Sequence, residues 1–424
     1  MPAATNHARA AAVRVVRRLQ ESGVVAYLAG GCVRDTLLGR VPKDYDVATS
    51  AEPPRVKALF PGVHAVGEAF GVHLVPVREG RRRFMVEVAT FRTEWGYTDG
   101  RRPTEVRFSD ARHDAARRDF TINGLFEDPL APEGSDPIID FVAGRADLTH
   151  GILRAIGDPA ARFGEDYLRM LRAVRFAARF DFRIDPATHA AILKHAHQLR
   201  RISAERIGQE ARAMLQPDAD ARPVRAIRLI QELHLDETLL GEPHASPATA
   251  TVDALPPDAE YTTVLAAWIL DRHTADPGRP AWASLDPAAV AAPLRTGLCL
   301  SNDHLGALVS TLALAGRAMG WPTLAQAPRK RLLADRMWPQ AWRLLDAHLA
   351  SHDPALGKRI AEEATNLART GVAPTPFLRG DDLLAIGIKQ GPQMGRLLTE
   401  AYDAQLEGTV RSREDAMQWV RDRV

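Results

Sequence analysis

The sequence has 424 residues, a formal net charge of +2 and two cysteines. This length predicts two to four domains rather than a single core. The near balance of charge excludes a globally basic surface, so a nucleic-acid footprint would have to be local. With only Cys32 and Cys299, the chain has neither a disulfide framework nor a cysteine-based zinc site, which fits a reducing compartment. Since no apolar run has the length of a membrane span, a cytoplasmic location is predicted.

The first 150 residues alternate helical and strand-like patterns, which predicts a mixed α/β domain. In chain order the predicted elements are a helix over 8–22, a strand over 24–29, a short helix over 34–38, a strand over 45–48, a helix near 54–60, and a strand hairpin over 72–78 and 84–90. From about residue 158 onward helical periodicity predominates, and breaks near 216–223, 241–257 and 274–287 mark candidate boundaries between helical subdomains.

A glycine pair and two nearby carboxylates form the first candidate site. Gly30 and Gly31 follow a strand-like run and would let the backbone approach a bulky group such as a nucleotide triphosphate. Asp44 and Asp46 are two residues apart, so a strand would send both side chains to one face. Two carboxylates held that close repel each other unless a cation lies between them. The pattern predicts metal-dependent chemistry on a nucleotide.

A third carboxylate lies in a β-rich run. Glu87 has apolar neighbours on both sides, and three acidic residues that converge from neighbouring strands can hold two divalent ions. One ion would lower the pKa of an attacking hydroxyl, and the other would neutralise a leaving pyrophosphate. An exposed strand carboxylate is the simpler alternative for Glu87 considered alone.

Adjacent arginines beside polar residues form the second candidate site. Arg117 and Arg118 precede Asp119, and Asn123 follows within an apolar flank. The planar guanidinium matches phosphate oxygens, while an amide can donate to and accept from a sugar hydroxyl. The segment predicts a triphosphate and ribose clamp, although an isolated Arg-Arg pair is more often a solvated charge run.

The third candidate site is a helical segment with a period of three. Asp166, Arg169, Arg172 and Arg175 would lie along one slowly drifting helix face. A carboxylate beside a guanidinium can pair with the edge of a base that carries an exocyclic amino group, as C and A do. On spacing alone, an intrahelical Asp–Arg ion pair is the commoner interpretation.

Weaker signals favour structure over function. His113-Asp114 and His352-Asp353 are dipeptides of the kind that metal phosphohydrolases use, but no suitably spaced partner histidines accompany them. Trp268, Trp321, Trp338 and Trp342 lie in apolar helical contexts, which predicts core positions rather than base-stacking platforms.

Several motifs in order resemble those of the class II tRNA nucleotidyltransferases, or CCA-adding enzymes, and of their bacterial poly(A) polymerase relatives. They are the glycine turn 28–35 with Asp44 and Asp46, the strand 86–92, the segment 117–123, the linker 140–159, the helical segment 165–169 and the segment 203–207. The resemblance covers about the first 215 residues strongly and returns at 380–395, whereas 218–376 match only as generic helices.

The resemblance implies an α+β fold in which a polymerase-β-like nucleotidyltransferase head precedes all-helical parts. The expected division is a catalytic head over 1–150, a nucleotide-selecting neck over 151–215, a body over 216–330, and a tRNA-binding tail over 331–424. The helical parts would cradle the acceptor arm and 3′ end of tRNA.

The resemblance also implies an activity: template-independent addition of C and A to the 3′ end of tRNA, from CTP and ATP, with release of pyrophosphate. Asp44, Asp46 and Glu87 would be catalytic and hold Mg²⁺, and Asp166 with Arg169 would select the base. The other residues expected to bind the nucleotide are Gly30, Gly31, Arg34, Arg117, Arg118, Asp119, Asn123, Arg172 and Arg175.

Three alternatives remain at this stage. The chain could be a poly(A) polymerase, an enzyme that adds only CC or only A, or, from a different class, a non-catalytic RNA-binding protein that kept the head as a scaffold. Residues 95–103 resemble the flexible element that full CCA-adding enzymes use to switch from C to A, which favours full specificity. The three retained carboxylates argue against a non-catalytic protein.

Overall fold

The structure, a computed structural model, describes residues 3–65, 71–79, 82–97, 103–217, 222–244, 247–275, 282 and 285–424. The chain divides into two compact units. The first unit comprises residues 1–210 and 233–238, and the second comprises residues 211–232 and 239–424. The four-part division into head, neck, body and tail stays a prediction.

The strands all precede residue 185 in the described part of the chain. They are β1 (Ala26–Ala29), β2 (Asp46–Thr49), β3 (His64–Ala65), β4 (Val72–Glu79), β5 (Arg82–Thr90), β6 (Arg92–Tyr97), β7 (Pro103–Phe108), β8 (Leu125–Glu127), β9 (Ile138–Asp140), β10 (Ile152–Leu153) and β11 (Arg183–Ile184).

Helices occur along the whole chain. Those that begin before residue 215 are α1 (Ala3–Glu21), α2 (Gly31–Leu37), α3 (Pro53–Leu59), α4 (Ala111–Ala116), α5 (Gly144–His150), α6 (Pro159–Glu165), α7 (Leu168–Phe180), α8 (Pro186–His195) and α9 (Ala204–Leu215). Those that follow are α10 (Pro223–Glu232), α11 (Asp236–Leu240), α12 (Ala250–Ala254), α13 (Tyr261–Ala275), α14 (Pro287–Gly297), α15 (Asn302–Met319), α16 (Gln326–Ala334), α17 (Trp338–His352), α18 (Pro354–Arg369), α19 (Gly380–Ala385), α20 (Pro392–Leu406) and α21 (Arg413–Arg421).

The first unit is built on a mixed sheet with the strand order β3-β4-β5-β2-β1-β8-β9 in the residues described. Strands β2 and β5 run parallel, and the other paired neighbours in this sheet are antiparallel. Strands β6 and β7 form a separate hairpin. This mixed sheet followed by helices confirms the predicted α+β class.

The predicted elements of the first unit are found with shifted ends. The strand predicted over 45–48 is β2, which begins at Asp46 because its partner β1 ends at Ala29, opposite Asp46. Gly30 then turns away from the sheet with φ 69°. The predicted hairpin is β4 and β5, joined in register from Val72–Ala89 to Glu79–Arg82.

Packing against the sheet fixes the position of α4, the helix that precedes Arg117 and Arg118. Small residues of α4 pack directly against β1, β2 and the aromatic rings around them, which leaves the end of α4 beside the ends of the central strands. The buried members of this cluster are Ala29, Ala48, Phe91, Ala111, Ala115 and Phe126.

The second unit is helical in its described residues, and its last helices have a small core of their own. Leu383 of α19, Leu397 of α20 and Val420 of α21 belong to that core. Trp268 and Trp321 are fully buried, which confirms their predicted core positions. Trp338 and Trp342 stack on each other and are half-buried. No described helix combines the length and apolarity that crossing a membrane requires.

Candidate active site

One cavity of the first unit, about 590 Å³ in volume, brings the three candidate sites together. It lies at the ends of the central strands, between the glycine turn, the arginine pair and helix α7. Of the predicted site residues, those that line it are Gly30, Gly31, Arg34, Asp46, Glu87, Arg117, Arg118, Asp119, Asn123, Asp166, Arg169, Arg172 and Arg175. Asp44 borders a second cavity, of about 580 Å³, which shares Asp46 and Glu87 with the first.

The glycine turn is fixed by its neighbours. Gly30 has φ 69° and ψ −120°, a backbone conformation that residues other than glycine rarely adopt. Its N–H donates to the carbonyl of Leu125 at 2.9 Å. A Cβ at this position would lie 2.7 Å from Nη1 of Arg118. The turn therefore needs glycine both for its backbone angles and for the approach of an arginine.

The carboxylates meet through the parallel pairing of β2 and β5. Val47 pairs with Val88, so Asp46 and Glu87, one residue earlier on each strand, lie side by side on the same face. Burial, then the charges of Glu87 and Asp44, raise the pKa of Asp46 to about 6, while Arg118 acts in the opposite direction. Repulsion between neighbouring carboxylates is therefore built into the site.

The expectation that Asp44 and Asp46 project from one strand is wrong in its local geometry. Asp44 lies in the segment before β2 and is exposed, whereas Asp46 is the first residue of the strand. Within the residues that the structure describes, no three carboxylate, imidazole or thiol groups are already clustered as a metal site. The oxygen donors of Asp44, Asp46 and Glu87 are nevertheless those that a hard divalent cation prefers. Their role as metal ligands stays a prediction.

The arginine pair follows α4 and is held by one buried carboxylate. Asp114 accepts hydrogen bonds from Arg117 and from Arg118. Arg118 also donates through Nη1 to the carbonyl of Asn123 at 3.0 Å. The guanidinium of Arg118 is thereby fixed beside the glycine turn.

A buried polar network connects the glycine turn to α7. Arg34 donates to the side-chain oxygen of Asn123, whose Nδ2 donates to Asp119 Oδ1 at 2.9 Å. Arg172 donates through Nε and Nη2 to Asp119 Oδ2 at 2.9 and 2.6 Å. Burial alone would raise the pKa of Asp119, but the charge of Arg172 and the hydrogen bonds outweigh it and lower that pKa to about 2. Both ends of the Asn123 amide are engaged with protein groups in this network.

The expectation that Asp166 shares a helix face with the arginines is wrong. Asp166 has extended backbone angles, φ −154° and ψ 105°, and lies between α6 and α7. Its Oδ1 accepts from the N–H of Leu168 at 3.0 Å, and its Oδ2 accepts from Nη2 of Arg206 at 2.5 Å. The reason is local, because an aspartate that bonds the backbone two residues ahead competes with helical hydrogen bonding. The intrahelical Asp166–Arg169 ion pair is likewise not formed.

The three arginines of α7 keep to the cavity but have different partners. Arg169 pairs with Glu165 and donates to the carbonyl of Arg162 at 2.8 Å. Arg175 donates through Nε to Oε2 of Glu210 at 2.7 Å. Together with the Arg172–Asp119 pair, these contacts hold the arginines along the cavity wall.

Several residues that line the cavity are not among the predicted site residues. Arg206 lies within the segment 203–207, and its pairing with Asp166, 40 residues earlier, does not follow from local spacing. Arg179 continues the series of Arg172 and Arg175 at helical spacing, a signal that was available in the sequence. Phe176 has the guanidinium carbons of Arg34, Arg172 and Arg175 at 5.2, 5.3 and 4.4 Å from its ring centroid. Arg92 lies at the start of β6 and also lines the cavity.

The predicted specificity element over 95–103 is only partly described. Strands β6 and β7 pair around it, from Arg92–Phe108 to Tyr97–Pro103. Residues 98–102 lie outside the described residues.

Comparisons with known proteins identify the family. A family model described as the poly A polymerase head domain matches residues 26–154, and one described as a probable RNA and SrmB-binding site of polymerase A matches residues 181–248. A CCA-adding enzyme from Limosilactobacillus fermentum is 32% identical over 401 residues, covering 93% of this chain and 92% of the relative. The chain belongs to the CCA-adding enzyme family. It is therefore a nucleotidyltransferase.

Further CCA-adding enzymes are similar to this chain over nearly its whole length. The enzyme from Lactiplantibacillus plantarum is 32% identical over 422 residues, covering 96% of this chain and 94% of the relative. The crystal structure of the Bacillus stearothermophilus CCA-adding enzyme in complex with CTP matches with a TM-score of 0.66 and 26% identity, covering 98% of this chain and 97% of that one. A Thermotoga maritima CCA-adding enzyme complexed with tRNA has the same fold, with a TM-score of 0.65 at 21% identity.

Proposed function

We propose that this protein adds C and A to the 3′ end of tRNA, taking CTP and ATP as substrates and Mg²⁺ as its metal, and releasing pyrophosphate in the cytoplasm. The observation that supports this most is one cavity that is lined by the neighbouring carboxylates Asp46 and Glu87, by the clamped arginines, and by Asp166 and Arg169 from separate segments. Relatives of nearly full length are CCA-adding enzymes, and solved members of the family are complexed with CTP or with tRNA.

The first part of the proposed mechanism is phosphoryl transfer. Asp44, Asp46 and Glu87 would hold the metal, since burial, followed by the charges of Glu87 and Asp44, raises the pKa of Asp46, and a bound cation would offset both effects. When bound, the metal would lower the pKa of the attacking hydroxyl and neutralise charge on the leaving pyrophosphate. Gly31, Arg34 and Arg118 line the cavity and would cradle the triphosphate.

The second part is selection of the base by protein groups. Asp166 accepts hydrogen bonds only, so it would take those of the exocyclic amino group that C and A share. Arg169 would donate to a ring nitrogen or carbonyl of the same edge. G and U present a carbonyl towards Asp166, which leaves two acceptors opposed and disfavours both nucleotides. Arg172 and Arg175 line the same wall and would contact the triphosphate or the base.

A single-nucleotide incorporation assay tests the proposal. We expect tRNA that ends before CCA, or after its first C, to take up C from CTP alone, and tRNA that ends in CC to take up one A from ATP alone. Failure to add C to the shortest substrate would contradict CCA addition. Addition of A alone to the CC-ending substrate would indicate an A-adding enzyme, and repeated addition of A would indicate a poly(A) polymerase.

A substitution of Asp44 tests the assignment of the catalytic metal ligands. Asp44→Ala should abolish Mg²⁺-dependent incorporation, because a metal ligand is lost. Glu52→Ala is the matched control, since Glu52 is an exposed carboxylate of the same unit whose side chain makes no capping hydrogen bond. Equal activity of the two variants would exclude the assigned metal site, and a native chain that binds tRNA but never incorporates would favour the non-catalytic alternative.

A further inference from the structure

The carboxylate beneath the arginine pair is a feature that the proposed mechanism does not use. Asp114 lies on α4, and only 1% of its surface is exposed. An aspartate is rarely buried so completely unless it is paired. Its neighbour His113 points elsewhere, towards the exposed Asp110 at 2.8 Å. The buried carboxylate is therefore separate from the His-Asp dipeptide that the sequence suggests.

Apart from a longer hydrogen bond that Oδ1 accepts from the N–H of Arg92 at 3.4 Å, the contacts of Asp114 divide its two oxygens between two guanidinium groups. Oδ1 accepts from Nε and Nη2 of Arg117 at 2.9 and 2.6 Å. Oδ2 accepts from Nε and Nη2 of Arg118 at 3.2 and 3.0 Å. Each guanidinium is thus held at two points, which fixes its plane as well as its position.

This arrangement overcomes a geometric problem in the sequence. Side chains of adjacent residues in a helical turn point about 100° apart, so Arg117 and Arg118 would diverge without a common anchor. Asp114 precedes them by three and four residues and lies within reach of both. With its Nε and Nη2 anchored, Arg118 directs Nη1 to the carbonyl of Asn123, beside Gly30.

We propose that Asp114 is a positioning residue that holds Arg117 and Arg118 in the orientation required to bind the triphosphate of the incoming nucleotide. The inference rests on the proposed function, because it takes the cavity as a nucleotide site. Asp114 itself does not contact the nucleotide. Its negative charge is screened by the two arginines, which leaves one net positive charge on the cluster to face the phosphates.

We expect Asp114→Asn to weaken nucleotide binding, whereas simple electrostatics predicts that it strengthens binding. Asp114→Asn removes a negative charge near the phosphates, and by charge alone it would strengthen nucleotide binding. If Asp114 positions the arginines, the amide NH₂ opposes their donors and releases at least one guanidinium. We then expect the KM for CTP and for ATP, and the inhibition constant of inorganic tripolyphosphate, each to rise by about tenfold or more. The kcat and the preference for CTP and ATP over UTP and GTP should stay close to native.

The matched control lies on the same helix. Asp110 is the N-cap residue of α4 and accepts from the N–H of His113 at 2.9 Å, but it does not contact either arginine. Asp110→Ala should lower Tm through loss of the cap and leave the KM for CTP unchanged. A fall in KM for Asp114→Asn, or a lower Tm with unchanged KM, would overturn the inference.

Two further measurements keep the test decisive. If Asp114→Asn does not fold, Arg117→Lys and Arg118→Lys each keep the positive charge but lose the two-point contact, so unchanged KM for CTP in both would overturn the inference. If the native chain binds CTP without incorporating it, the proposed function fails, but comparison of the CTP dissociation constants of native and Asp114→Asn protein still decides the role of Asp114.

Discussion

At the residue scale, the absence of a side chain at Gly30 allows Arg118 to approach the backbone closely. A Cβ on Gly30 would lie 2.7 Å from Nη1 of Arg118, and the residue has φ +69°. The sequence predicts that the glycine pair admits a bulky group, with a triphosphate as the expected one. In the structure, the atom nearest to the missing Cβ belongs to the arginine that would hold that triphosphate. The two motifs are therefore one site.

Alanine at Gly30 should cost both stability and nucleotide binding. Gly39 is the matched control, because it has a nearly equal φ of +68° but no atom within 4 Å of an added Cβ. We expect Gly39→Ala to lower the free energy of unfolding by about 1 kcal/mol from backbone strain, and Gly30→Ala to lower it further because its Cβ would also clash with Arg118. Gly30→Ala alone should raise the KM for CTP, since it displaces Arg118. Equal KM in the two variants would contradict a coupled glycine turn and arginine.

The raised pKa of Asp46 predicts how metal binding depends on pH. Burial and the charges of Glu87 and Asp44 move it from an ordinary value of 3.8 to about 6. Between these values the folded metal-free protein binds more protons than the unfolded chain, so its stability falls as the pH rises through this window. Protons and metal compete for the carboxylate. We expect Mg²⁺ to raise Tm much more at about pH 8 than at about pH 5.

Asp46→Asn provides the check on this pH dependence. The variant has no carboxylate to titrate at this position, so the part of the pH dependence of Tm that Asp46 contributes should disappear in metal-free protein. A native protein whose Mg²⁺-induced rise in Tm is the same at both pH values would contradict the assignment of Asp46 as a metal ligand.

The break between α6 and α7 is the decisive feature at the scale of elements. A continuous helix would point Asp166 along the face of the arginines, as the period of three predicts. Instead Asp166 is extended, and Arg206 of α9 fixes its side chain. Asp166 and Arg169 therefore line the same cavity from two different segments, with Glu165 as the partner of Arg169.

Asp166→Ala should degrade the choice of nucleotide without loss of metal binding. The variant removes the acceptor proposed for the exocyclic amino group, so we expect the ratio of kcat/KM for CTP over UTP to fall by about ten- to a hundredfold, the range for one lost polar recognition contact. Mg²⁺-induced stabilisation should be unchanged. Glu205→Ala, which removes an exposed carboxylate next to Arg206, serves as control. If Asp166→Ala lost Mg²⁺ affinity by as large a factor as it lost preference for CTP, the role of Asp166 in base selection would be contradicted.

The whole molecule divides into two compact units. The chemistry-bearing residues all belong to the first unit, whereas the second unit contains the segment 380–395 that resembles the tail of the family. Leu383 is fully buried in the small core of the last three helices, and the adjacent Leu384 is 49% exposed. This pair allows the contribution of that core to be measured in the intact chain.

Leu383→Ala should destabilise the second unit by about 2–5 kcal/mol, the usual cost of a buried cavity, whereas Leu384→Ala should cost little. The CTP-induced shift in Tm should be native in both variants, because the nucleotide cavity lies in the first unit. Denaturant titrations followed by circular dichroism give the stabilities. Comparable losses in the two variants would show that burial of Leu383 in this core adds no stability.

The sequence by itself identified most of the groups that line the candidate active-site cavity. Gly30 and Gly31 follow a strand-like run, and Asp46 and Glu87 stand among apolar residues, so local sequence marks them as candidates. Residues such as Arg117 and Arg118 were recognisable from their order relative to Asp119 and Asn123. These features depend on neighbours within a few residues, where stereochemistry limits the choices.

Only the tertiary structure decided which of these groups meet. The pairs Arg206–Asp166 and Arg34–Asn123 join residues 40 and 89 positions apart. Such contacts depend on how whole elements pack, for example on the packing of the small residues of α4 against the sheet. No local sequence pattern encodes contacts between residues so far apart in the chain. The same packing buries Asp114, whose contacts to Arg117 and Arg118, three and four residues ahead, are themselves local.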